Sequence, residues 1–283
     1  MGLREKELLA SFLSALGEED NDVYYLDSLA LKIDGFAESK AKMPFHTYED
    51  LGWRAVAAAL SDLKVKLAEP LAVAVSITAP DAARAEAVFR GAAEAAHKFG
   101  VRYAGGDLNG GVEVVVDVAA VGRTSARIGR RPKPGDVLIT PPLFGYTGLA
   151  FRAHERGDPA AAKGVQMLKR PLLDWPPPPP LNCVTASMDS SDGLADVLWT
   201  MARGVDIIVK ALPAPVEVLA AAERLGLSPE EVVFNGGEEY LPIYAVRPEC
   251  GVPEGYTAFA EVVVGGGAVI WRGGALPYKG WSY

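Results

Sequence analysis

Cysteine is nearly missing from this chain. Among 283 residues only Cys183 and Cys250 occur. They lie far apart and form no CxxC pair, which excludes a disulfide framework and a zinc knuckle and leaves each as an ordinary buried thiol. Histidine is almost as scarce: His46, His97 and His154 are scattered, on helix or surface patterns, with His46 the best placed for chemistry. No apolar run reaches the roughly 18 residues that cross a bilayer. Met1 to Glu19 mixes charged and apolar residues without a signal-peptide pattern, so the expectation is a soluble, cytoplasmic protein with no membrane role. Basic charge is in deficit, 28 Lys and Arg against 36 Asp and Glu. That balance argues against a general nucleic-acid surface, although Arg127, Arg130, Arg131 and Lys133 cluster locally. The chain has no P-loop, no kinase-type HRD or DFG string and no GxSxG elbow. Gly265-Gly266-Gly267 precedes a strand pattern and reads as a turn. Few Asn, Gln and Cys beside abundant Ala, Gly, Val and Pro give the composition of a heat-stable protein.

What the chain does have is acid at the ends of apolar runs. Asp20-Asn21-Asp22, Asp34, Ser61-Asp62, Gly105-Gly106-Asp107 and Asp189-Ser190-Ser191-Asp192-Gly193 all fit this description, and Gly236-Gly237-Glu238-Glu239 follows. Each alone could cap a turn or helix. Ionised carboxylates that converge repel one another and call for hard cations between them, and neighbouring glycines let backbone approach a ligand closely. The set as a whole points to a magnesium–polyphosphate site rather than to zinc or haem.

Strand and helix patterns alternate along the chain, giving an α/β (α+β) class in two successive units. Glu5–Leu16 reads as a helix. Val23–Leu26 and Leu29–Ile33 read as strands around a tight Asp27-Ser28 turn, the second ending at Asp34 before an irregular Gly35–Thr47. Thr47 caps a helix carrying Ser61-Asp62. Leu71–Thr78 is a strand, Pro80–Phe99 a helix, Arg102–Ala104 a short strand opening onto Gly105-Gly106-Asp107, and Val112–Val121 a β-branched strand. Pro132–Gly135 marks a boundary, dividing the chain into residues 1–134 and 135–283. In the second unit Val184–Met188 is a strand ending at Asp189, and a helix starts at Ser191 or Asp192. Pro176–Pro180 is an extended surface loop.

Met188-Asp189-Ser190-Ser191-Asp192-Gly193-Leu194 resembles the D-x-S-D-G-L motif of the thiamine-monophosphate kinases, in the aminoimidazole ribonucleotide synthetase superfamily. Further motifs of that family occur in the same order. Asp22 matches the second acid of its N-terminal Gly-Asp-Asp, and Asp34 the aspartate ending the next strand. Asp50-Leu51-Gly52 through Ser61-Asp62-Leu63 matches the DLG…A…SDL helix. Gly105-Gly106-Asp107 matches GGDT, Lys133-Pro134-Gly135-Asp136 matches KPGD, Gly236-Gly237-Glu238-Glu239-Tyr240 matches GGEDY, and Lys279-Gly280-Trp281 matches KGY. The resemblance covers nearly the whole chain. Departures are Asp20 for the first glycine, Lys32 and Ile33 where the family has Ser/Thr metal ligands, Ala41 for a substrate-contacting histidine, and Leu108 for the threonine of GGDT. The family's arginine before KPGD falls on Gly129, beside Arg130, with Arg127 as another choice.

The resemblance implies an aminoimidazole ribonucleotide synthetase-like fold whose N-terminal half forms a β-barrel interface in a homodimer. It implies transfer of the γ-phosphoryl group of ATP to thiamine monophosphate, with Mg²⁺ held by Asp22, Asp34, Asp62, Asp107, Asp189 and Asp192. Asp192, Asp107 and Arg130 would be catalytic. ATP would meet Asp107, Arg130, Ser191 and Gly106, and the thiamine moiety Glu238 and Trp281. The alternatives are another ATP-dependent enzyme of the superfamily with a different acceptor, and a non-catalytic nucleotide-binding relative. Selenophosphate synthesis would need a reactive N-terminal Cys or selenocysteine, and the hydrogenase-maturation relative a C-terminal Cys; neither is present.

Overall fold

The computed structural model describes residues 5–17 and 21–276. Helix α1 (Glu5–Ala15) precedes a hairpin of β1 (Tyr24–Leu26) and β2 (Leu29–Ala37). Then come the single turn α2 (Glu38–Ala41), α3 (Tyr48–Val65), β3 (Glu69–Ala79), α4 (Ala82–Lys98), β4 (Arg102–Gly110) and β5 (Val115–Arg123). The strands make a five-stranded sheet in the order β1-β2-β5-β3-β4. All its pairings are antiparallel except β3 with β4, which α4 joins as a crossover. Within one chain this sheet is open, with β1 and β4 as its edges.

Two strands run further than their sequence suggests. β2 continues past Asp34 to Ala37, pairing with β5 as far as Val115. β4 takes in Gly105-Gly106-Asp107, so that motif is strand rather than loop, with a register shift that leaves Ala104 as the extra residue. Glycines carry no side chain to signal a strand, yet an edge strand at a bulge accommodates them.

The second half supplies β6 (Val137–Thr140), α5 (Tyr146–Ala153), α6 (Pro159–Lys169), β7 (Val184–Asp189), α7 (Leu194–Met201), β8 (Val205–Val209), α8 (Val216–Arg224), α9 (Pro229–Phe234), β9 (Pro242–Val246), β10 (Thr257–Val264), β11 (Val269–Trp271) and β12 (Gly274–Ala275). Its seven-stranded sheet has the order β12-β11-β8-β10-β6-β9-β7. Cys183 and Cys250, read from the sequence as separate thiols, are joined in a disulfide across 67 residues. The physical reason is register: β7 and β9 pair from Val184 opposite Val246, which draws the two flanking segments together.

Helix α3 ties the halves. A capping box starts it, with Thr47 Oγ1 accepting from Asp50 N–H and the Asp50 carboxylate accepting from Thr47 N–H. Nearly every one of its side chains is buried, because it packs on β2, β3 and β5 on one side and reaches β7 and β9 on the other. It also lies directly on α4. A Cβ on Gly52 would stand 2.0 Å from the Val88 carbonyl oxygen, and one on Gly91 only 1.8 Å from that of Glu49.

Candidate active site

Three elements deliver acid to the junction of the halves. β2 alternates, so Ala30, Lys32, Asp34 and Phe36 share one face. Helix α3 and its C-cap set Arg54, Ala58, Asp62 and Lys66 four residues apart on one stripe. β7 ends at Asp189, and the turn after it holds Ser191 and Asp192. The helix after this turn starts only at Leu194, with Gly193 at its N-cap. Asp22, just before β1, completes the set. Asp22, Lys32, Asp34, Ala58, Asp62, Arg130, Asp189, Ser191, Asp192 and Glu238 all line one cavity of about 330 Å³, with Lys40, Thr200 and Arg203 also in its wall.

Acid and base interleave here. Arg130 Nε donates to Asp22 Oδ1 at 2.8 Å, and Lys66 Nζ sits 2.7 Å from Asp22 Oδ2. Lys66 is fully buried and also donates to the Ser187 carbonyl at 2.6 Å. Burial alone would raise the Asp22 carboxyl, but Lys66 and Arg130 outweigh it and hold it well below the usual carboxylate range. Asp62 goes the other way. Burial and the charges of Asp189, Asp22 and Asp34 push it well up against the opposing Lys32. Burial, with Asp22, lifts Asp189 to about 6, opposed by a hydrogen bond from Ser61 Oγ. Carboxylate oxygens of Asp22, Asp62 and Asp189, all buried, lie within 4.8 Å of one another. Three hard oxygen donors so placed fit a divalent cation such as Mg²⁺.

Glu238 reaches the cavity from a strained loop. Glu238 and Tyr240 have φ of +55° and +51°, costly for residues with a Cβ. The loop is held by Glu238 N–H donating to the Ser191 carbonyl at 2.7 Å and Leu241 N–H to Ser190 Oγ at 2.8 Å. Gly193, at φ +91°, is required where the two turns meet, since a Cβ there would lie 2.1 Å from the Gly236 carbonyl. The Glu238 carboxylate is taken by Arg54, whose Nε donates to it at 2.9 Å. Arg54 is itself 0% exposed, donates to the Ala41 carbonyl at 2.6 Å, and stacks over Phe36. His46 lies against Arg54, and burial together with that charge lowers its pKa to about 3. It is a neutral packing residue at physiological pH. Glu238 also borders a second, more apolar recess of about 230 Å³ with Leu143, Met167, Leu172, Trp175 and Glu239.

Of the residues singled out in the sequence, Asp22, Asp34, Asp62, Arg130, Asp189, Ser191, Asp192 and Glu238 meet here. Gly106 and Asp107 do not. They sit on edge strand β4 and line a different recess with Val75, Ile77, Phe89 and Tyr103. Asp20 and Trp281 lie outside the described residues. Sequence reasoning missed Arg54, Lys66, Lys40 and Arg203. The first two had a readable signal, their four-residue spacing from Asp62 and Ala58 along a helix.

Residues 18–124 match the family described as AIR synthase related protein, N-terminal domain. Fold and site thus define an AIR synthase-related α/β protein with an acid-rich cavity. Thiamine-monophosphate kinase of Pyrobaculum calidifontis is 55% identical over 282 residues, 100% of this chain and 96% of that protein. The structure of tt0281 from Thermus thermophilus shares 32% identity at TM-score 0.82, over 96% of this chain and 98% of that one. AaThiL complexed with AMPPCP and TMP has the same fold, at TM-score 0.85 and 24% identity, over 100% and 99% of the two chains. The chain belongs to the thiamine-monophosphate kinase family.

Proposed function

We propose that this chain is an ATP-dependent thiamine-monophosphate kinase that passes the γ-phosphoryl group of ATP to thiamine monophosphate, assisted by Mg²⁺. The observation that carries this reading is the convergence of Asp22, Asp34, Asp62, Asp189 and Asp192 with Lys32, Lys66 and Arg130 around one cavity. Joining two phosphates is hindered chiefly by their mutual repulsion, so positioning and charge neutralisation carry most of the catalysis. AaThiL complexed with AMPPCP and TMP supports this pair of substrates.

Asp22, Asp62 and Asp189 are the residues that would hold Mg²⁺, which when bound supplies neutralisation of phosphate charge. Arg130, Lys32, Lys40 and Arg203 in the cavity wall orient phosphate oxygens, and Ser191 and Asp192 fix the nucleotide side of the turn after β7. The attacking phosphate oxygen is already ionised near neutrality, its second pKa being about 6, so no general base is needed and a neutral His46 fits. Glu238 separates the phosphate cavity from the more apolar recess and, with its charge engaged by Arg54, shapes the border for the organic part of the acceptor. Trp281 is proposed to stack on the thiamine rings.

A homodimer is part of this reading. It is supported by the outer face of the first sheet, where Ile33 is 70% and Leu31 36% exposed, and it offers a place for Gly106 and Asp107, which would reach the cavity of a second copy from edge strand β4. Residues 1–134 and 135–283 are proposed as the two domains. No described helix is long and apolar enough to cross a membrane. A cytoplasmic location is compatible with the disulfide because intracellular proteins of hyperthermophiles carry them.

The experiment is steady-state ADP release with and without thiamine monophosphate, on wild type and Asp62→Asn. Expected are release that depends on thiamine monophosphate and loss of turnover in the variant with an unchanged circular dichroism spectrum. Acceptor-independent release, or wild-type turnover in Asp62→Asn, overturns the reading.

A further inference from the structure

Lys32 stands inside the acid cluster rather than at its rim. It projects from β2 on the same face as Asp34, and its Nζ lies 2.6 Å from Asp62 Oδ2 on α3 and 3.8 Å from Asp34 Oδ2. Only 21% of its side chain is exposed. One ammonium therefore bridges carboxylates from two elements, the place where two like charges would otherwise demand an ion. Asp22, Asp62 and Asp189 present carboxylate oxygens within 4.8 Å of one another for one divalent ion, which leaves the edge between Asp34 and Asp62 to the ammonium.

We propose that Lys32 is a resident cation of the phosphate site, holding the bridging position between Asp34 and Asp62, so that the chain itself binds one divalent ion where it would otherwise bind two. This rests on the metal-assisted reading above. An ammonium differs from a metal ion in three ways that matter here. It cannot be lost by dilution, it donates hydrogen bonds to phosphate oxygens rather than coordinating them, and it needs no water shell removed. Lys32 is thus a positioning group that keeps the Asp34–Asp62 edge in place before any ion arrives, and a donor to phosphate once substrate enters.

The test counts Mn²⁺, a spectroscopic substitute for Mg²⁺, on the full chain without nucleotide, from the free-ion electron paramagnetic resonance signal. Wild type is compared with Lys32→Ala and with Lys32→Gln, which keeps most of the side chain's length without its charge. Expected are one Mn²⁺ per chain in wild type and one more in each variant. Thermal melting gives a second readout. Without metal both variants melt below wild type, because Asp34 and Asp62 lose their counter-charge, and added Mg²⁺ raises their melting temperature more than it raises that of wild type. Equal ion counts in wild type and variants, or two ions already in wild type, overturn the proposal while leaving the metal reading standing. No bound Mn²⁺ in any of the three proteins removes the metal reading itself and the proposal with it. Should Lys32→Ala fail to fold even with Mg²⁺, the count on Lys32→Gln decides.

Discussion

Arg54 and Glu238 form a buried ion pair, Arg54 fully buried and Glu238 nearly so. Burial raises the Glu238 carboxyl and Arg54 opposes that rise. Removing one member leaves an uncompensated buried charge, so Arg54→Met should destabilise the chain by about 3–5 kcal/mol, and adding Glu238→Gln should restore part of the loss. Urea unfolding of both variants checks this; a double variant no better than the single one would mean that the arginine acts through packing on Phe36 instead. Glu239, the next residue along, behaves differently. No cation among the described residues offsets its burial, which lifts its carboxyl to about 8, opposed by the hydrogen bond from Gly145 N–H to Glu239 Oε1. Between its ordinary value of 4.5 and about 8 the folded chain keeps a proton that the unfolded chain has released. Stability therefore falls as pH rises through that window and levels off above it. Glu239→Gln copies the protonated form and should flatten the slope, with a difference between the two proteins of roughly 3–5 kcal/mol accumulated from pH 4.5 to 8. Parallel stability–pH curves would show that Glu239 is ionised in the fold. In the sequence these two glutamates look alike. What separates them is a partner on α3, 184 residues away from Glu238, and no local pattern reports such a partner.

At the scale of elements the sequence is most readable where periodicity is strong. Helices α3 and α4 and strands β3 and β5 lie close to where their apolar spacing puts them, and the Thr47 cap is visible in the residues alone. The differences cluster where glycine and acid replace apolar side chains. β4 outruns its apolar pattern at Gly105, β2 outruns its own at Asp34, and α7 starts later than the Ser191–Asp192 turn suggests. These are site residues, and the chemistry of the site erases the pattern that marks a strand or helix. The α3 stripe of Arg54, Ala58, Asp62 and Lys66 shows the reverse case, a helix whose spacing is plain but whose charged face is buried rather than solvated. Being buried on both sides, α3 has little freedom to shift. Gly91→Ala should expose this, because its new Cβ would press on the Glu49 carbonyl at 1.8 Å and push α4 off α3. Overpacking of this kind costs typically about 1–3 kcal/mol, measured by denaturant midpoint. Gly266→Ala is the control, since nothing lies within 4 Å of a Cβ there, and equal midpoints in the two variants would disprove the close contact.

For the molecule as a whole, the outer face of the first sheet is the feature a single chain leaves unfinished. Pairing places Ile33 beside Ala119 and Ala119 beside Ala74, and likewise Leu31 beside Val121 and Val121 beside Ala72. These rows are small or aliphatic, while the rows behind them, Ala120 and Val73 among them, are buried in the core. A largely uncharged sheet face with two open edges favours cover by a like surface, and a two-fold pair is the commonest way to obtain it. The sequence supports a dimer through family resemblance and through the strand patterns Leu29–Ile33, Leu71–Thr78 and Val112–Val121, apolar enough to need cover on both faces; the geometry adds that Asp107 lies on the edge strand, away from its own chain's cavity. If it serves the cavity of a second copy, two inactive proteins should rescue one another. Asp62→Asn and Asp107→Asn, each silent alone, would form mixed dimers in which one cavity has both aspartates intact. Co-expressed in equal amounts, they should recover about a quarter of wild-type turnover, because half the dimers are mixed and each holds one complete site of two. Light scattering at micromolar concentration must show the dimer first. A wild-type monomer removes the assembly outright, while a dimer whose mixed variants stay inactive keeps the assembly and confines Asp107 to its own chain.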